Sequence, residues 1–266
     1  MSENRETALW GPVDAVGRAV NGTLLYLVDL TAFIINALSD WRGIFNRAAY
    51  NAIISQIIFT GIDALPAISI LALAVGASIT TQLILLVQAF GTEADVIRMI
   101  TQLVGMELSP LLAAIIVIGR SGSAITVDLG NMKLHREVEG LALLGIDIRD
   151  FFIRPRLAGV VISQLMLSVY FAVIAIVSGV LFSALFSSAS HFRYLVAIPL
   201  AFDPMQLIGF IIKDLLFGLI IGAAGCFHAL QVTTSSTEVP QQTQRAIVNS
   251  LMLIFIIDGM VALAVQ

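Results

Sequence analysis

The stretch of sequence that decides the fold is LAGVVISQLMLSVYFAVIAIVSGVLFSALFSSAS, residues 157–190, which contains no charged side chain. A membrane-spanning helix needs about 20 apolar residues, so this stretch predicts a span over residues 157–186. The whole chain has the same character, because 58% of its 266 residues are hydrophobic and its mean hydropathy is +0.96. Only 12% of the residues are charged, whereas a soluble domain carries about 25%. The sequence therefore predicts an all-α integral membrane protein.

Four other apolar stretches of similar length surround this one. We predict about five spans in all, of which the other four cover residues 64–88, 103–127, 205–230 and 246–265. Three of the four contain charged residues, which lipid tolerates only where the side chain meets a partner or a watery cavity. These residues are Glu107 and Arg120 in the second span, Lys213 and Asp214 in the fourth, and Asp258 in the fifth.

Residues 20–62 differ from the spans because polar residues interrupt the apolar ones. They predict one or two amphipathic helices at the membrane surface, with a sixth, imperfect span as the alternative. We interpret residues 1–266 as one domain, in which residues 1–63 are cytoplasmic or interfacial and residues 64–265 form the transmembrane bundle. The first twenty residues lack the apolar region of a signal peptide, so we expect the start of the chain in the cytoplasm.

The distribution of Lys and Arg predicts the orientation of the bundle. Residues 1–63, 128–156 and 231–245 carry ten of these side chains, whereas the predicted outer loops carry two, Arg98 and Arg193. Basic residues concentrate in cytoplasmic segments, so we expect the three basic segments on the cytoplasmic side. No basic tract is present, which argues against a nucleic-acid partner.

Glu107 has the clearest functional interpretation among the charged residues. It lies in the outer part of the second span and is soon followed by Pro110. A carboxylate at this depth predicts a residue that gates a substrate cavity or contacts the substrate, and a charge at the headgroup level is the alternative. Lys213 is expected to meet an acidic group such as Asp258 or a lipid phosphate, unless its side chain extends to the outer headgroups.

Small residues predict where the spans pack closely, because they let helices approach one another in lipid. A patch of them surrounds Arg120, which is expected to pair with Asp128 or with inner-leaflet phosphates. The single cysteine, Cys226, excludes an internal disulfide and a cysteine-based metal cluster, and we expect it to be a small packed residue. The predicted packing glycines are Gly119 and Gly122 beside Arg120, and Gly218 and Gly222, which form a GxxxG in the fourth span.

Residues 132–145 predict a short amphipathic helix on the cytoplasmic side. Val138, Leu141 and Leu144 fall on one side of it, and Gly145 follows the last apolar residue, as a C-terminal glycine does. In a transporter driven by a separate motor, such a helix is the lever that docks on that motor. A simple surface connector is the alternative.

The segment from residue 105 to residue 156 resembles the MlaE family, also called YrbE, the permeases of Mla-type lipid transporters. The shared pattern is E-L-x-P…G-R-x-G-[SA]-A…[DE]-L-G-x-M…L-x-x-[LM]-G-[IV]-D…P-R. In this sequence the matching residues are Glu107, Leu108, Pro110, Gly119, Arg120, Gly122, Ala124, Asp128, Leu129, Gly130, Met132, Leu141, Gly145, Asp147, Pro155 and Arg156.

This resemblance implies a homodimeric permease of the bacterial inner membrane with an amphipathic N-terminal helix and five spans. It implies an ATPase partner similar to MlaF, a STAS-domain protein similar to MlaB and a periplasmic MCE-domain protein similar to MlaD, which together move phospholipids or related lipids between membranes. The chain has no G-x-x-x-x-G-K-[ST] phosphate loop, so ATP and magnesium are expected on the partner and no catalytic residue is expected here.

The resemblance also implies roles for three groups of residues. The lipid cavity and its gate involve Glu107, Leu108, Pro110 and Lys213. Coupling to the ATPase involves Lys133, Arg136, Glu137, Val138, Leu141, Leu144 and Gly145. Helix packing involves Gly119, Arg120, Gly122, Asp128, Gly218, Gly222 and Asp258.

Two other functions remain as alternatives at this point. An intramembrane serine protease would use Ser121, which lies in a G-x-S-G sequence, with His228 as its base. A stand-alone secondary transporter or channel would need no ATPase, but we find no internal repeat with interrupted helices. No group of metal ligands stands out in the sequence.

Overall fold

The computed structural model describes residues 21–22, 24–39, 47–90, 93–186 and 203–265. Every regular element within these ranges is a helix, which confirms the predicted fold class. Five helices are long and apolar enough to cross a membrane, as predicted. We call them spans 1 to 5, and they cover Ala49–Ile84, Ile97–Leu134, Arg149–Leu185, Pro204–Leu230 and Glu238–Ala264.

Several spans are built from consecutive helical segments rather than from one regular α-helix. The α-helices are Arg47–Thr60, Leu65–Val75, Thr81–Phe90, Glu93–Met99, Ser109–Val117, Ser123–Leu134, Glu137–Leu143, Arg154–Phe186, Pro204–Leu230 and Glu238–Val265. A 3-10 turn covers Ile62–Ala64, and π-helical turns cover Gly76–Thr80, Ile100–Leu108, Ile118–Gly122 and Arg149–Ile153.

The chain forms two compact units, Met1–Arg42 and Gly43–Gln266. In the first unit the described residues include the helix Leu24–Leu38, which is shorter than a membrane span. A sixth span is therefore not found in the described part of residues 20–62. The surface location of the N-terminal helix stays a prediction. Arg193 and the basic residues before residue 47, which support the predicted orientation, lie outside the described residues.

Span 1 begins at Ala49, earlier than the predicted start at residue 64. Gly61 keeps a right-handed helical conformation, so the helix continues from Thr60 through the 3-10 turn without a break. The early part of the span packs against span 3, since a Cβ atom built on Gly159 would lie 2.6 Å from the Gln56 Cβ. Residues 49–60 therefore belong to the first span rather than to a separate surface helix.

Small residues hold span 3 against its neighbours on both sides. A Cβ atom built on Gly76 of span 1 would lie 2.1 Å from the carbonyl oxygen of Ala175. A Cβ atom on Gly218 of span 4 would lie 2.6 Å from the Val161 Cα. Such distances are too short for any side chain, so these spans approach one another along glycine surfaces.

The other predicted packing glycines divide into two kinds. Gly222 lies against Leu157, and Gly122 lies against Ile221 of span 4. Gly119 differs, because it is exposed and a Cβ atom built there would meet no described residue within 4 Å. Of the two predicted packing glycines beside Arg120, Gly122 therefore contacts another span, and Gly119 contacts none among the described residues. Cys226 is fully buried in span 4, which fits the packed residue that we expected.

The predicted helix over residues 132–145 is shorter in the structure and covers Glu137–Leu143. Arg136 has a left-handed conformation with φ of 59°, which separates this helix from the end of span 2. Gly145 ends it with φ of 76°. The amide of Ile146 donates to the carbonyl of Leu141 at 3.1 Å, as in a Schellman motif.

Candidate functional site

Lys213 is the centre of a charged cluster inside the bundle. Span 4 carries it among neighbouring spans, and its side chain is only 2% exposed. Its Nζ atom lies 2.5 Å from Glu107 Oε2 of span 2 and 2.9 Å from Asp258 Oδ1 of span 5. A buried ammonium is stable only when it is paired and hydrogen-bonded. One cation therefore joins three spans, and the predicted meeting of Lys213 with Asp258 is found.

The local backbone explains why Glu107 points at this cation. Glu107 lies near the end of the π-helical turns of Ile100–Leu108, and π turns inside α-helices are frequent at functional sites. Pro110 has no amide hydrogen to continue the hydrogen-bond ladder. Ser109 Oγ instead donates to the carbonyl of Gly105 at 2.5 Å. The wider turn before the proline displaces the helix face that carries Glu107.

A second buried carboxylate lies next to the cluster. Asp214 is completely buried, and its Oδ1 accepts a hydrogen bond from Gln164 Nε2 at 3.0 Å. Its Oδ2 lies 2.5 Å from Ser168 Oγ. Gln164 also donates to the carbonyl of Pro110 at 3.2 Å. Span 3 therefore supports Asp214 with two side chains and connects it to the proline of span 2.

A polar cavity of about 260 Å³ opens beside the cluster. Arg98 and Lys213 supply positive charge to its wall, and Glu107 and Asp203 supply negative charge. This volume fits a small polar headgroup but not an acyl chain. Leu108 and Pro110, which we also assigned to a lipid cavity, are not among its lining residues. The lining residues are Arg98, Gln102, Met106, Glu107, Asp203, Gln206, Gly209, Phe210, Lys213, Val261 and Ala262.

The Arg120–Asp128 pair that we considered is absent, because each of these residues has another partner. Arg120 Nη2 lies 3.4 Å from Asp63 Oδ2 of span 1, and its guanidinium lies over the Phe59 ring. Asp128 pairs with Arg156 of span 3. Residues eight apart on an α-helix point about 80° away from each other, which explains why the pair does not form.

The helix Glu137–Leu143 presents both charge and apolar surface. Val138 is buried, whereas Leu143 is 89% exposed and Leu144 is 77% exposed. Lys133 Nζ lies 2.5 Å from Glu139 Oε1, and this hydrogen bond lowers the pKa of the Glu139 carboxyl. Leu144 therefore does not share the buried side of Val138. Arg136 and Glu137 are exposed, and Leu141 is half-buried.

A protein-family model described as Permease MlaE matches residues 53–264 of this sequence. The chain belongs to the MlaE permease family. The match begins inside residues 49–60, in agreement with the early start of span 1, and it includes nearly all of span 1 and the whole of the other four spans. The resemblance seen in the sequence is therefore confirmed, and the chain is a multi-pass membrane protein.

Individual relatives of this MlaE permease are similar over most of its length. One from Rickettsia bellii (strain RML369-C), named "Probable ABC transporter permease protein", is 26% identical over 78% of this chain and 80% of its own. One from Haemophilus influenzae, named "Intermembrane phospholipid transport system permease protein MlaE", is 24% identical over 80% of this chain and 82% of its own. "Protein TRIGALACTOSYLDIACYLGLYCEROL 1, chloroplastic" of Arabidopsis thaliana is 30% identical over 69% of this chain and 53% of its own.

The geometry of this MlaE permease gives no support to the serine protease. Ser121 Oγ is buried and has no hydrogen-bond partner among the described residues. His228 instead connects spans 4 and 5, with Nδ1 3.0 Å from Gln242 Oε1 and Nε2 3.1 Å from Asn249 Nδ2. A Ser–His dyad requires a direct hydrogen bond between the two side chains. In the described ranges, no group of three or more His, Cys, Asp or Glu residues is placed to hold a metal ion.

The sequence analysis missed Gln164 and Ser168, the partners of the buried Asp214, and Asp63, the partner of Arg120. Gln164 and Ser168 lie four residues apart in the uncharged part of span 3, and this spacing puts both on one face of the helix. Two polar residues on one face of an apolar span predict a polar partner on a neighbouring span, and this pattern could have identified them. Asp63 was not considered as a partner of Arg120 because it was assigned to the region before the first span.

Proposed function

We propose that this MlaE permease is the transmembrane subunit of an ABC transporter that moves phospholipids or related lipids between the inner and outer membranes. The family and the names of the relatives from Rickettsia bellii and Haemophilus influenzae support this function. The structural observation that carries it is the ion cluster of Lys213, Glu107 and Asp258 at the wall of a polar cavity. Lipid headgroups need such a polar place when their acyl chains remain in apolar surroundings.

The cluster can accept a zwitterionic headgroup without leaving a charge unpaired. A phosphate that enters the cavity meets Lys213 and Arg98, and an ammonium group meets Glu107 and Asp203. The exchange replaces an ion pair within the protein by ion pairs with the lipid. Because an unpaired buried charge is strongly unfavourable, this exchange is the physically accessible way to open the cluster.

Span 2 connects this cluster with the helix Glu137–Leu143. Glu107 and Lys133 are 26 positions apart in one continuous span, which corresponds to about 39 Å along an α-helix. An ATPase that docks on the exposed Leu143 and Leu144 can therefore displace the same helix that carries Glu107. In this proposal, ATP binding on the partner moves span 2 against Lys213 and opens or closes the cavity.

The assembly around the chain is part of the same proposal. Two copies form a homodimer in the inner membrane, with the N-terminus in the cytoplasm. Partners similar to MlaF, MlaB and MlaD supply the ATPase, the STAS domain and the periplasmic MCE domain, and ATP and magnesium bind to the ATPase. Span 5 has an exposed apolar face that includes Phe255, Ile256 and Met260. This face is available to a second copy of the chain or to lipid.

Purification and reconstitution test this function directly. The chain, isolated in mild detergent, is expected to bring an ATPase and bound phospholipid with it, both identified by mass spectrometry. The complex in proteoliposomes is expected to transfer labelled phospholipid to acceptor vesicles only when ATP is supplied. A chain that is purified alone and transports without ATP would instead be a secondary transporter.

A substitution at Glu107 tests the role of the cluster in that assay. Glu107→Gln keeps a hydrogen bond to Lys213 and leaves Asp258 as its counter-ion, so the complex should assemble normally. ATP-dependent lipid transfer should fall by about tenfold, the effect of weakening one charged hydrogen bond. Asp29→Asn removes an exposed carboxylate that does not line the cavity and is the control for assembly. Transfer at the parent rate in Glu107→Gln would remove Glu107 from the lipid route.

A further inference from the structure

A second cavity lies at the other end of span 2. It has a volume of about 500 Å³ and is enclosed by the early part of span 1, the late part of span 2 and the start of span 3. Glu107 and Asp128 are 21 positions apart in span 2, or about 32 Å along an α-helix, and the hydrocarbon core of a bilayer is about 30 Å thick. The second cavity therefore lies at the level of the opposite leaflet from the Lys213 cluster.

The polar end of this cavity has an arginine whose donors are only partly used. Arg156 pairs with Asp128, and its side chain is 14% exposed. Its Nη1 atom is buried and has no hydrogen-bond partner among the described residues. Asp128 is 64% exposed, so its carboxylate can accept a further donor. The cavity wall thus carries a guanidinium for an anion and an exposed carboxylate for a cation, side by side.

The rest of the cavity wall is mostly apolar and aromatic. Phe59 and Phe151 are both partly exposed, and Ile125 and Phe152 also line the space. The Arg156 guanidinium lies over the Phe152 ring, 5.6 Å from its centroid, which fixes the cation at the edge of the aromatic wall. Such a wall suits the first methylene groups of an acyl chain, with a polar headgroup at Arg156 and Asp128.

We propose that this cavity binds a zwitterionic phospholipid of the phosphatidylethanolamine type, taken from the leaflet next to the helix Glu137–Leu143. The phosphate pairs with the Arg156 guanidinium, the ammonium group contacts Asp128, and an acyl chain lies along the phenylalanines. An anionic headgroup without an ammonium group is a poorer ligand, because it brings no positive charge to the exposed side of the Asp128 carboxylate, which repels it. The lipid class follows the proposed function, but the site itself is inferred from the cavity alone.

Photo-crosslinking of lipid in the assembled complex tests this site. Benzoylphenylalanine replaces Phe151 in the cavity or, as the control, Ile58, which is exposed on span 1 outside the cavity. The complex is placed in nanodiscs with equal amounts of phosphatidylethanolamine and phosphatidylglycerol, and captured lipids are counted by mass spectrometry. At position 151 we expect phosphatidylethanolamine to exceed phosphatidylglycerol by about tenfold, as one additional charged hydrogen bond would give. At position 58 the two lipids should be captured equally.

Two substitutions separate recognition of the headgroup from a structural role. Asp128→Asn removes the partner of the ammonium group and should turn the preference at position 151 toward phosphatidylglycerol. Arg156→Gln should lower capture at position 151 to the level at position 58, and Arg156→Lys, which keeps the charge, should retain most of it. Arg149→Gln removes a positive charge from the start of span 3 outside the cavity and should change nothing.

Several results would overturn the site. Equal capture of the two lipids at positions 151 and 58, or an unchanged preference in Asp128→Asn, would exclude headgroup recognition. Loss of crosslinking at position 151 when soluble phosphoethanolamine is added before irradiation would show that the acyl chain contributes nothing. The crosslinking needs no ATP, so selective capture without ATP-driven transfer would preserve this site and contradict the proposed transport. ATP-driven transfer without selective capture would contradict this site and leave the proposed transport in place.

Discussion

At one end of span 2, Glu107 shares a buried ammonium with Asp258, whereas at the other end Asp128 and Lys133 form ion pairs that stay partly exposed. In the first region the chain satisfies its own charges, because three spans surround Lys213. In the second region Arg156 keeps an unused donor and two leucines remain exposed. The difference indicates that a headgroup at the first end has to replace ion pairs within the chain, whereas other molecules at the second end meet an exposed carboxylate and exposed leucines directly.

Removal of Lys213 should have the largest effect on stability. Lys213→Met leaves Glu107 and Asp258 without their cation, and losing one member of a buried ion pair costs about 3–5 kcal/mol. Unfolding in detergent, followed by circular dichroism, measures the change. Lys133→Met at the exposed end is the matched control and should have little measurable effect. Equal losses in the two variants would contradict the contrast between the two ends.

The triple variant Lys213→Met, Glu107→Gln, Asp258→Asn sharpens that test. It removes the cation and both of its counter-ions together, so no unpaired charge is left in the cluster. We expect it to recover most of the stability lost in Lys213→Met, because neutral side chains avoid the desolvation of an uncompensated carboxylate. A triple variant as unstable as the single one would mean that Lys213 acts through packing.

Substitution of a packed glycine in the bundle should have the next largest effect on the unfolding free energy. Gly218→Ala places a methyl group 2.6 Å from the Val161 Cα, and such overpacking costs about 1–3 kcal/mol. Gly119→Ala has no described neighbour within 4 Å and should change the unfolding free energy by less than about 0.5 kcal/mol. The same unfolding measurement compares the two. If neither substitution lowers the unfolding free energy, spans 3 and 4 do not approach each other as closely as in the structure.

A change at the exposed end should affect assembly rather than stability. Leu144→Asp puts a charge on an exposed apolar residue, so the unfolding free energy should change by less than about 0.5 kcal/mol. The amount of ATPase that co-purifies with the chain should fall by about tenfold if Leu144 lies at the centre of that interface. Gln241→Asp adds the same charge at another exposed position and should leave the ATPase bound. Normal co-purification of Leu144→Asp would place the interface elsewhere.

The pH dependence of the Lys133–Glu139 pair should be the smallest effect. The hydrogen bond from Lys133 lowers the pKa of Glu139 below its usual 4.5, so the folded state holds the ionised form more strongly than the unfolded state does. The stabilising contribution is present above pH 4.5 and is lost as the pH falls through the lowered pKa. The difference in unfolding midpoint between the parent chain and Glu139→Gln should therefore shrink below pH 4.5. A difference independent of pH would exclude the ion pair as its cause.

The number and type of elements follow from the sequence because the spans are long and nearly free of charge. Glu107, Lys213 and Asp258 were found for the same reason, since a charge in a span requires a partner. The start of span 1 was placed too late because Asp63 and Gly61 resemble an interruption. In the structure Asp63 is paired with Arg120 and the helix simply continues.

Apart from the meeting of Lys213 with Asp258, the contacts between distant residues were not predicted from the sequence. Asp128 and Arg156 are 28 residues apart, and only the return of the chain through the helix Glu137–Leu143 brings them together. The hydrogen bonds of Asp214 depend on how span 3 is rotated, because that rotation decides whether Gln164 and Ser168 face span 4. No local pattern specifies that rotation.

The burial of Cys226 makes the molecule well suited to site-directed spectroscopy. It is the single cysteine in the sequence, and it is fully enclosed in span 4. A thiol in such surroundings does not react with labelling reagents. A cysteine introduced at Leu263, which is exposed near the end of span 5, would therefore carry a spin label without first removing the native thiol. In the proposed homodimer, pulsed electron paramagnetic resonance would then report the separation of the two labels.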